Sequence, residues 1–236
     1  MHRVVLLGFG LRVLYLDSQS LWFNETSSIY IARRGPLYIA QHLEADHVPL
    51  HFLLLYGWAG LAGLSEFAVR FLSVCAGVLT IPLLYQVLRL AGRRQLAVVG
   101  AGALALAPFH IYYSQEARMH VLACFFVTLA AYAQISAWQR HANARWALYG
   151  ASAAAALYTW AYSGLALVGL NLALLLSRRR PRAWWLANVA AVLAIVPWTA
   201  IVASRFVSFI GDRVALAGQE PFGWADALRS TTMLAF

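Results

Sequence analysis

Long runs of apolar residues, separated by short polar segments, fill most of the chain from residue 71 to residue 203. A membrane hydrocarbon core takes about 20 helical residues to cross, so these runs predict six membrane spans. The spans are 71–88, 95–113, 119–138, 146–162, 164–176 and 183–203. A single tilted helix over 146–176 would put the arginines of 178–182 on the wrong side of the membrane. We therefore predict two helices there, joined near Tyr162 and Ser163.

The remaining segments complete an all-α, polytopic transmembrane helix bundle. Residues 1–16 predict a short first helix interrupted by Arg12, and 17–69 form a long outer loop. Within this loop, 49–64 is apolar for only about one short span, so we predict a helix lying along the interface. Tyr56 and Trp58 suit that depth, and three glycines suit close packing on the bundle; these are Gly57, Gly60 and Gly63. A second outer loop is predicted at 204–224 and the start of a further helix at 225–236, so the chain reads as one domain whose C-terminal end is incomplete.

Composition supports a membrane protein and excludes several other classes. The 236 residues are 62% hydrophobic and 11% charged, whereas soluble domains carry about 25% charged residues. All 18 basic residues are arginines, spread between apolar runs, so no patch suited to nucleic acid forms. Cys75 and Cys124 lie inside apolar runs without metal-ligand spacing and read as packing residues.

The distribution of arginines predicts the orientation, because positively charged loops stay on the cytoplasmic side. Three arginine-bearing connections alternate with connections that hold the acidic residues. The cytoplasmic set is Arg89, Arg93, Arg94, Arg140, Arg145, Arg178, Arg179, Arg180 and Arg182. All nine acids then fall on the outer side. We therefore expect a multi-pass protein of the cell inner or plasma membrane, with its polar chemistry at the outer face.

Candidate catalytic residues lie in the first outer loop. Glu25 follows Trp22 and Phe23, which would partly desolvate its carboxylate and favour proton uptake. A solvated acid beside an aromatic belt is the alternative interpretation. Asp46 and His47 form a second polar group before the interfacial helix, where Asp46 could equally be a helix-entry cap.

Two arginines stand at the predicted outer ends of apolar helices, Arg70 before 71–88 and Arg118 before 119–138. A cation is unfavourable at a helix N-terminus unless an anion joins it. The partner is either a nearby acid, Glu66 for Arg70 and Glu116 for Arg118, or a phosphate group, whose shape a guanidinium matches. Tyr112 and Tyr113 fit interface anchors, and His120 fits either packing or a polar contact.

Four motifs in this order resemble the bacterial branch of the protein-mannosyltransferase-like enzymes, glycosyltransferase family 39, which have the GT-C fold. They are Ser-Leu-Trp-Phe-Asn-Glu at 20–25, Asp-His-Val-Pro-Leu-His at 46–51, Gly-Leu-Ser-Glu-Phe-Ala-Val-Arg-Phe-Leu-Ser at 63–73 and Pro-Phe-His-Ile-Tyr-Tyr-Ser-Gln-Glu-Ala-Arg-Met-His at 108–120. The resemblance covers about residues 10–175. Family members are longer, so the chain resembles an N-terminal part.

The resemblance implies a transferase that takes a sugar from a polyprenyl phosphate and gives it to an acceptor at the outer face, with inversion. The family's acidic pair falls on Asn24 and Glu25, so the first carboxylate is replaced by an amide. Glu25 would be the general base, with Asp46 as a further catalytic candidate, and Arg70 or Arg118 would bind the donor phosphate. The supporting residues would be His47, Tyr113, Glu116 and His120.

No cofactor is expected, because the sequence has neither a glycine-rich nucleotide loop nor a clustered metal site. A divalent cation between Glu25, Asp46 and phosphate is an open alternative. So are two other functions: a transporter or flippase, with Arg12, Arg70, Arg118 and Glu116 along its path, and a non-catalytic truncated relative. A transporter would place its polar groups near the membrane midplane, whereas nearly all of these lie at one face.

Overall fold

The computed structural model describes residues 1–43, 47–92, 94–140, 142–177 and 181–217, with side chains described as far as residue 205. The described residues form helices and no strands, which confirms the predicted all-α class. The helices are α1 His2–Val13, α2 Phe23–Arg33, α3 Gly35–His42, α4 Leu50–Ala62, α5 Glu66–Leu90, α6 Arg94–Leu106, α7 Pro108–Ser114, α8 Met119–Arg140, α9 Asn143–Thr159, α10 Ser163–Leu175 and α11 Arg182–Ala217.

Helix α5 is the centre of the bundle and contacts α1, α4, α6, α7 and α8. Three helices of the described chain are long and apolar enough to cross a membrane: α5, α8 and the Arg182–Arg205 part of α11. Helices α6 and α7 together make a possible fourth. The predicted number of spans is therefore larger than helix length alone supports, because α9, α10 and α1 are shorter than about 20 residues.

The span predicted at 95–113 is not one straight helix. It bends by 57° between α6 and α7. Pro108 has no backbone N–H to continue the hydrogen bonding of α6 and restricts Ala107 to an extended conformation, so the chain breaks there. The bend leaves Ala105 O at the end of α6 without a helical partner. Arg12 donates to it and to Leu104 O, which also accepts from the N–H of Ala107.

The long first loop is mostly helical. Helices α2 and α3 precede α4, which lies where the interfacial helix is predicted. The glycines of α4 do not pack as expected, since a Cβ at Gly57 or Gly60 would meet no atom within 4 Å. Gly63 ends the helix with a φ of +86°, a conformation that glycine adopts without strain. Gly57 and Gly60 therefore lie on an open face of α4.

Helices α8 to α11 pack around alanines, which let helix backbones approach closely. A polar chain crosses this region: Trp184 Nε1 donates to Asn171 Oδ1 at 2.8 Å, Asn171 Nδ2 to Tyr149 OH at 2.9 Å, and Tyr149 OH to Asn188 Oδ1 at 3.0 Å. The break at 160–162 between α9 and α10 confirms two helices over 146–176.

The C-terminal part differs from the prediction. Helix α11 continues to Ala217, so the first part of the outer loop predicted from Ser204 is helical instead. The chain divides into two compact units, Met1–Val196 and Pro197–Phe236. All candidate site residues belong to the first unit. The helix predicted at 225–236 lies outside the described residues.

Candidate active site

The described part of the site is centred on a buried ion pair between Glu25, in the first turn of α2, and Arg70 in α5. Arg70 Nε lies 2.9 Å from Glu25 Oε1, and Arg70 Nη2 lies 2.8 Å from Oε2. Glu25 is 1% exposed and Arg70 is 4% exposed. Such a two-bond pair fixes the relative orientation of both groups, so the start of α2 is fastened to α5.

Glu25 accepts two further hydrogen bonds from the backbone. The N–H of Ala117 donates to Oε1 at 2.8 Å, and the N–H of Trp22 donates to Oε2 at 3.0 Å. A carboxylate has about four acceptor directions, and all four are occupied. Burial raises the pKa of Glu25, but the bonds from Arg70, Ala117 and Trp22 outweigh burial and hold the pKa below its usual value. This geometry favours an anchoring role over the predicted role of general base.

Arg70 is equally occupied. Besides Glu25, its two Nη atoms donate to three backbone carbonyls of the turn after α1: Leu16 O at 2.8 Å, Gln19 O at 2.8 Å and Ser20 O at 3.2 Å. All five N–H groups of the guanidinium are therefore bonded within the protein. A phosphate could bind Arg70 only after displacing one of these acceptors, which disfavours the predicted phosphate role.

The placement of Arg70 in its helix also differs from the prediction. The hydroxyl of Ser65 accepts from the N–H of Ala68 at 3.2 Å and caps α5, so the helix begins at Glu66. Arg70 thus lies in the second turn of α5. Its acidic partner is Glu25, 45 residues earlier in the chain, and neither Glu66 nor a ligand is needed to explain its charge.

Arg118 is different, because most of its hydrogen-bonding capacity is free. It directly precedes α8, as predicted, and is half-buried. Its Nη1 reaches Asn24 O at 3.4 Å and Ser28 Oγ at 3.3 Å. Within the described residues, Arg118 forms no ion pair, and its Nε and Nη2 donate to no acceptor. Arg118 is the arginine of the site that can accept an anion without rearrangement.

Asn24 lies beside Arg118 on the exposed side of α2. Its side chain is exposed, whereas that of Glu25 points into the bundle. The two positions of the family's acidic pair thus have different environments. Position 24 is open to a ligand and position 25 is closed by the protein.

His51, in the first turn of α4, is a site feature that the sequence reasoning missed. The ring is 1% exposed, and neither nitrogen has a hydrogen-bond partner of good geometry among the described residues, although the backbone of Ala117 is close enough to act on its pKa. Burial and the positive charge of Arg118 lower the pKa of His51 to about 3, so the ring is neutral. A buried unpaired imidazole costs stability. Its place in the motif at 46–51 was the available signal.

The other predicted residues surround this group. His120 lies between Tyr113 and Trp160, with ring centroids 5.0 and 5.2 Å apart. His47 packs edge-on against Phe52. Glu116 and Tyr112 line a cavity of about 190 Å³ next to Glu25 and Arg70. Asp46 lies outside the described residues, so its predicted role as base stays a prediction.

A second buried arginine holds the segment that carries Ala117 and Arg118. Arg12 is 0% exposed, and its five N–H groups point to five acceptors: Ser114 Oγ, His110 Nδ1 and the carbonyls of Gly8, Leu104 and Ala105. Next to it, Gln115 Nε2 donates to Leu14 O at 3.0 Å. The end of α1 is thereby tied to α7 and to the turn at 115–118.

The space for Arg12 comes from a glycine on α5. A Cβ at Gly77 would lie 2.2 Å from Ser114 Oγ and 3.3 Å from Arg12 Nε. The sequence reasoning considered Arg12 only as a charge along a transport path. A single arginine within an apolar run, and a proline break elsewhere in the chain that frees carbonyls, were the signals for this contact.

This all-helical membrane bundle, with a helical first loop folded onto the start of its central helix, has the GT-C fold of membrane glycosyltransferases. The chain belongs to the dolichyl-phosphate-mannose-protein mannosyltransferase family, whose model matches residues 46–204. Its structure is similar to that of the protein O-mannosyltransferase complex of S. cerevisiae bound to the sugar donor, with a TM-score of 0.57 and 16% sequence identity. The match covers 89% of this chain and 34% of that chain, so this chain spans about a third of its relative's length. No curated protein matches significantly.

Proposed function

We propose that this chain acts in a membrane glycosyltransferase that uses a polyprenyl-phosphate-linked sugar, mannose being the sugar that the family description names. The acceptor hydroxyl attacks the anomeric carbon and the bond from that carbon to the phosphate oxygen breaks, which inverts the anomeric centre. The acceptor proton passes to a carboxylate, and polyprenyl phosphate leaves with one more negative charge. The reaction takes place at the outer membrane face.

Arg118 is the observation that carries this proposal. Its free Nε and Nη2 groups stand at the start of α8, where the helix dipole also favours an anion. A guanidinium in that position stabilises the leaving phosphate as its charge develops. The neutral His51 ring, which has one donor and one acceptor to offer, lies within electrostatic reach of Arg118.

Replacement of Arg118 by Gln is expected to weaken donor binding about 10- to 100-fold, because a charge-assisted hydrogen bond contributes about 1.5–3 kcal/mol. Thermal stability should change little, since the contacts of Arg118 within the protein are long. Binding of polyprenyl-phosphate mannose, polyprenyl phosphate and polyprenol to the purified protein tests this. The loss should appear for the two phosphates and be absent for polyprenol.

Arg89→Gln is the matched control, because Arg89 is an exposed arginine in the last turn of α5, far along the helix from Arg70. It makes the same chemical change without touching the site. Arg118→Lys should recover only part of the affinity, since an ammonium lacks the planar fork. Equal donor binding by Arg118→Gln and the wild-type protein would refute the phosphate role.

A donor-binding relative that does not transfer the sugar is the second candidate function. It is favoured by the lack of a free carboxylate at positions 24 and 25. Position 24 is an amide, and the carboxylate of Glu25 already accepts four hydrogen bonds within the protein. In the first proposal Asp46 takes the proton instead. Sugar transfer in reconstituted membranes distinguishes the two functions. The first proposal predicts transfer by the wild-type protein that is lost in Asp46→Asn, and the second predicts no transfer by either.

Replacement of Asn24 by Asp is expected to raise the transfer rate about tenfold or more, because a positioned general base contributes about 10²–10⁴-fold. The new carboxylate would be exposed beside Arg118, where a substrate can reach it. Gln41→Glu makes the same amide-to-carboxylate change at an exposed position of α3 and serves as the control. Transfer of labelled mannose is the measurement, and an unchanged rate in Asn24→Asp would contradict the expectation.

A further inference from the structure

Two neighbouring hollows on the helices of the first loop share Arg33, the last residue of α2. One is an open groove of about 510 Å³ along α4, lined by Arg33, Tyr56, Gly57, Ala59, Gly60, Leu61 and Leu64. The other is a cavity of about 440 Å³ beside α2, lined by Thr26, Ile29, Tyr30, Arg33 and Arg34. Together they form a surface with an apolar part and a cationic part.

The apolar part is open and continuous. Gly57, Gly60 and Leu61 lie on one face of α4, and Leu64, just after the helix, lines the same groove. Nothing lies within 4 Å of a Cβ built at Gly57 or Gly60, and Leu61 is 87% exposed. An apolar groove left open to this degree indicates a binding surface.

Helix α4 is bonded to the first turn of α5, a helix long enough to cross a membrane. Trp58 Nε1 donates to the carbonyl of Ala68 at 2.7 Å, and Ala68 lies in the first turn of α5. The end of a spanning helix marks the boundary between hydrocarbon and lipid headgroups. The groove of α4 is therefore at the level where acyl chains meet phosphates.

The cationic part consists of Arg33 and Arg34, whose charges have no acidic partner among the described residues. The Arg34 guanidinium lies over the rings of Tyr30 and Tyr38, at 4.5 and 4.9 Å from their centroids. Among the described residues, Arg33 has no hydrogen bond or ion pair, and no Asp or Glu lines either hollow. The two arginines also stand at the C-terminus of α2, where the helix dipole favours a positive charge. That effect explains the arginines but not the apolar groove beside them.

We propose that this surface binds one anionic phospholipid, with an acyl chain in the groove of α4 and the phosphate at Arg33 and Arg34. The charge of the arginines selects an anionic headgroup, and the depth of α4 selects a lipid over a free phosphate. The surface shares no residue with the group around Arg118. It therefore serves a bound lipid of the surrounding membrane and not the sugar donor.

Titration of the detergent-purified full chain with phosphatidylglycerol or phosphatidylcholine, followed by native mass spectrometry, tests the proposal. We expect the wild-type protein to bind phosphatidylglycerol about tenfold or more tightly than phosphatidylcholine, since each arginine near a membrane surface contributes about 1 kcal/mol. Equal affinity for the two lipids would overturn the proposal. So would equally tight binding of glycerol phosphate, which would indicate a site for free phosphate.

Two variants separate the parts of the surface. The double change Arg33→Gln and Arg34→Gln should remove the preference for phosphatidylglycerol, and Arg89→Gln should keep it. The double change Gly57→Leu and Gly60→Leu should weaken the binding of both lipids about tenfold, because the new side chains fill the groove without meeting protein atoms. Circular dichroism checks that each variant is folded. Unchanged lipid binding in a folded groove variant would refute the placement of the acyl chain.

Discussion

Replacement of Glu25 by Gln is expected to destabilise the protein by about 3–5 kcal/mol, the cost of leaving one partner of a buried ion pair without the other. Arg70 would keep its charge in a site that is 4% exposed. The carboxylate now accepts hydrogen bonds from Arg70, Ala117 and Trp22. The amide nitrogen of Gln is itself a donor, so it would face at least one of these donors without forming a bond. Chemical unfolding in detergent micelles measures the loss, and donor binding should fall with it.

The matched control is Glu66→Gln, because Glu66 is also an acid in the first turn of a helix but has no side-chain bond within the described residues. Its effect on stability should stay within about 0.5 kcal/mol. Arg70→Met in the Glu25→Gln background should recover part of the loss by removing the unpaired charge. A Glu25→Gln protein that folds and binds donor normally but transfers no sugar would restore the general-base role.

The same ion pair predicts a pH dependence. Because the pKa of Glu25 is lower in the folded protein than its ordinary value of 4.5, the stabilisation is fully present above pH 4.5. It is lost as the pH falls through the lower folded pKa. The wild-type protein should therefore lose stability in acid more steeply than Glu25→Gln does.

Replacement of Arg12 by Met is expected to cost about 3 kcal/mol or more. The change keeps an unbranched apolar chain but removes the donors to Ala105 O, next to the break between α6 and α7, and to His110 Nδ1, whereas Leu104 O keeps the N–H of Ala107. Each buried unpaired carbonyl costs about 1–3 kcal/mol. Unfolding in detergent measures the change in stability. Donor binding at Arg118 should also weaken, because Arg12 positions Ser114 at the start of the turn 115–118.

Arg3→Met is the control for this change, since Arg3 lies on the same helix and is exposed. It should leave stability and donor binding as they are. Normal stability in Arg12→Met would mean that the carbonyls of α6 find other donors, and the bend would then not depend on Arg12.

Much of the fold follows from the apolar pattern, which is a local property of the sequence. Helix α8 begins at Met119 as the pattern indicates, a helix is found where 49–64 predicts one, and the chain breaks between α9 and α10 as predicted. The interfacial position of that helix stays a prediction. The bend at Pro108 was missed because the residues around it stay apolar across the break. The continuation of α11 to Ala217 was missed because polar residues there do not disfavour a helix.

The site was harder to predict, because its contacts join distant parts of the chain. Sequence reasoning selected Glu25 and Arg70 but gave each a nearby partner or a ligand, whereas they bond to each other across 45 residues. Charge and position in a helix indicate that a partner is needed, and only the packing decides which one. Arg118 has no such partner among the residues that the structure describes, and its predicted phosphate role is the one that the geometry leaves open.

The five bonds of Arg12 also set an order of events during synthesis of the protein. Helix α1 is synthesised before most of its partners, because four of the five acceptors of Arg12 lie 92–102 residues later in the chain. At about 5–20 residues per second, this delay lasts on the order of 5–20 s. During that time Arg12, in the last turn of α1, has one of its five acceptors available, the Gly8 carbonyl of its own helix. Helix α1 is therefore expected to stay beside the insertion machinery, or at the membrane surface, until α6 and α7 arrive.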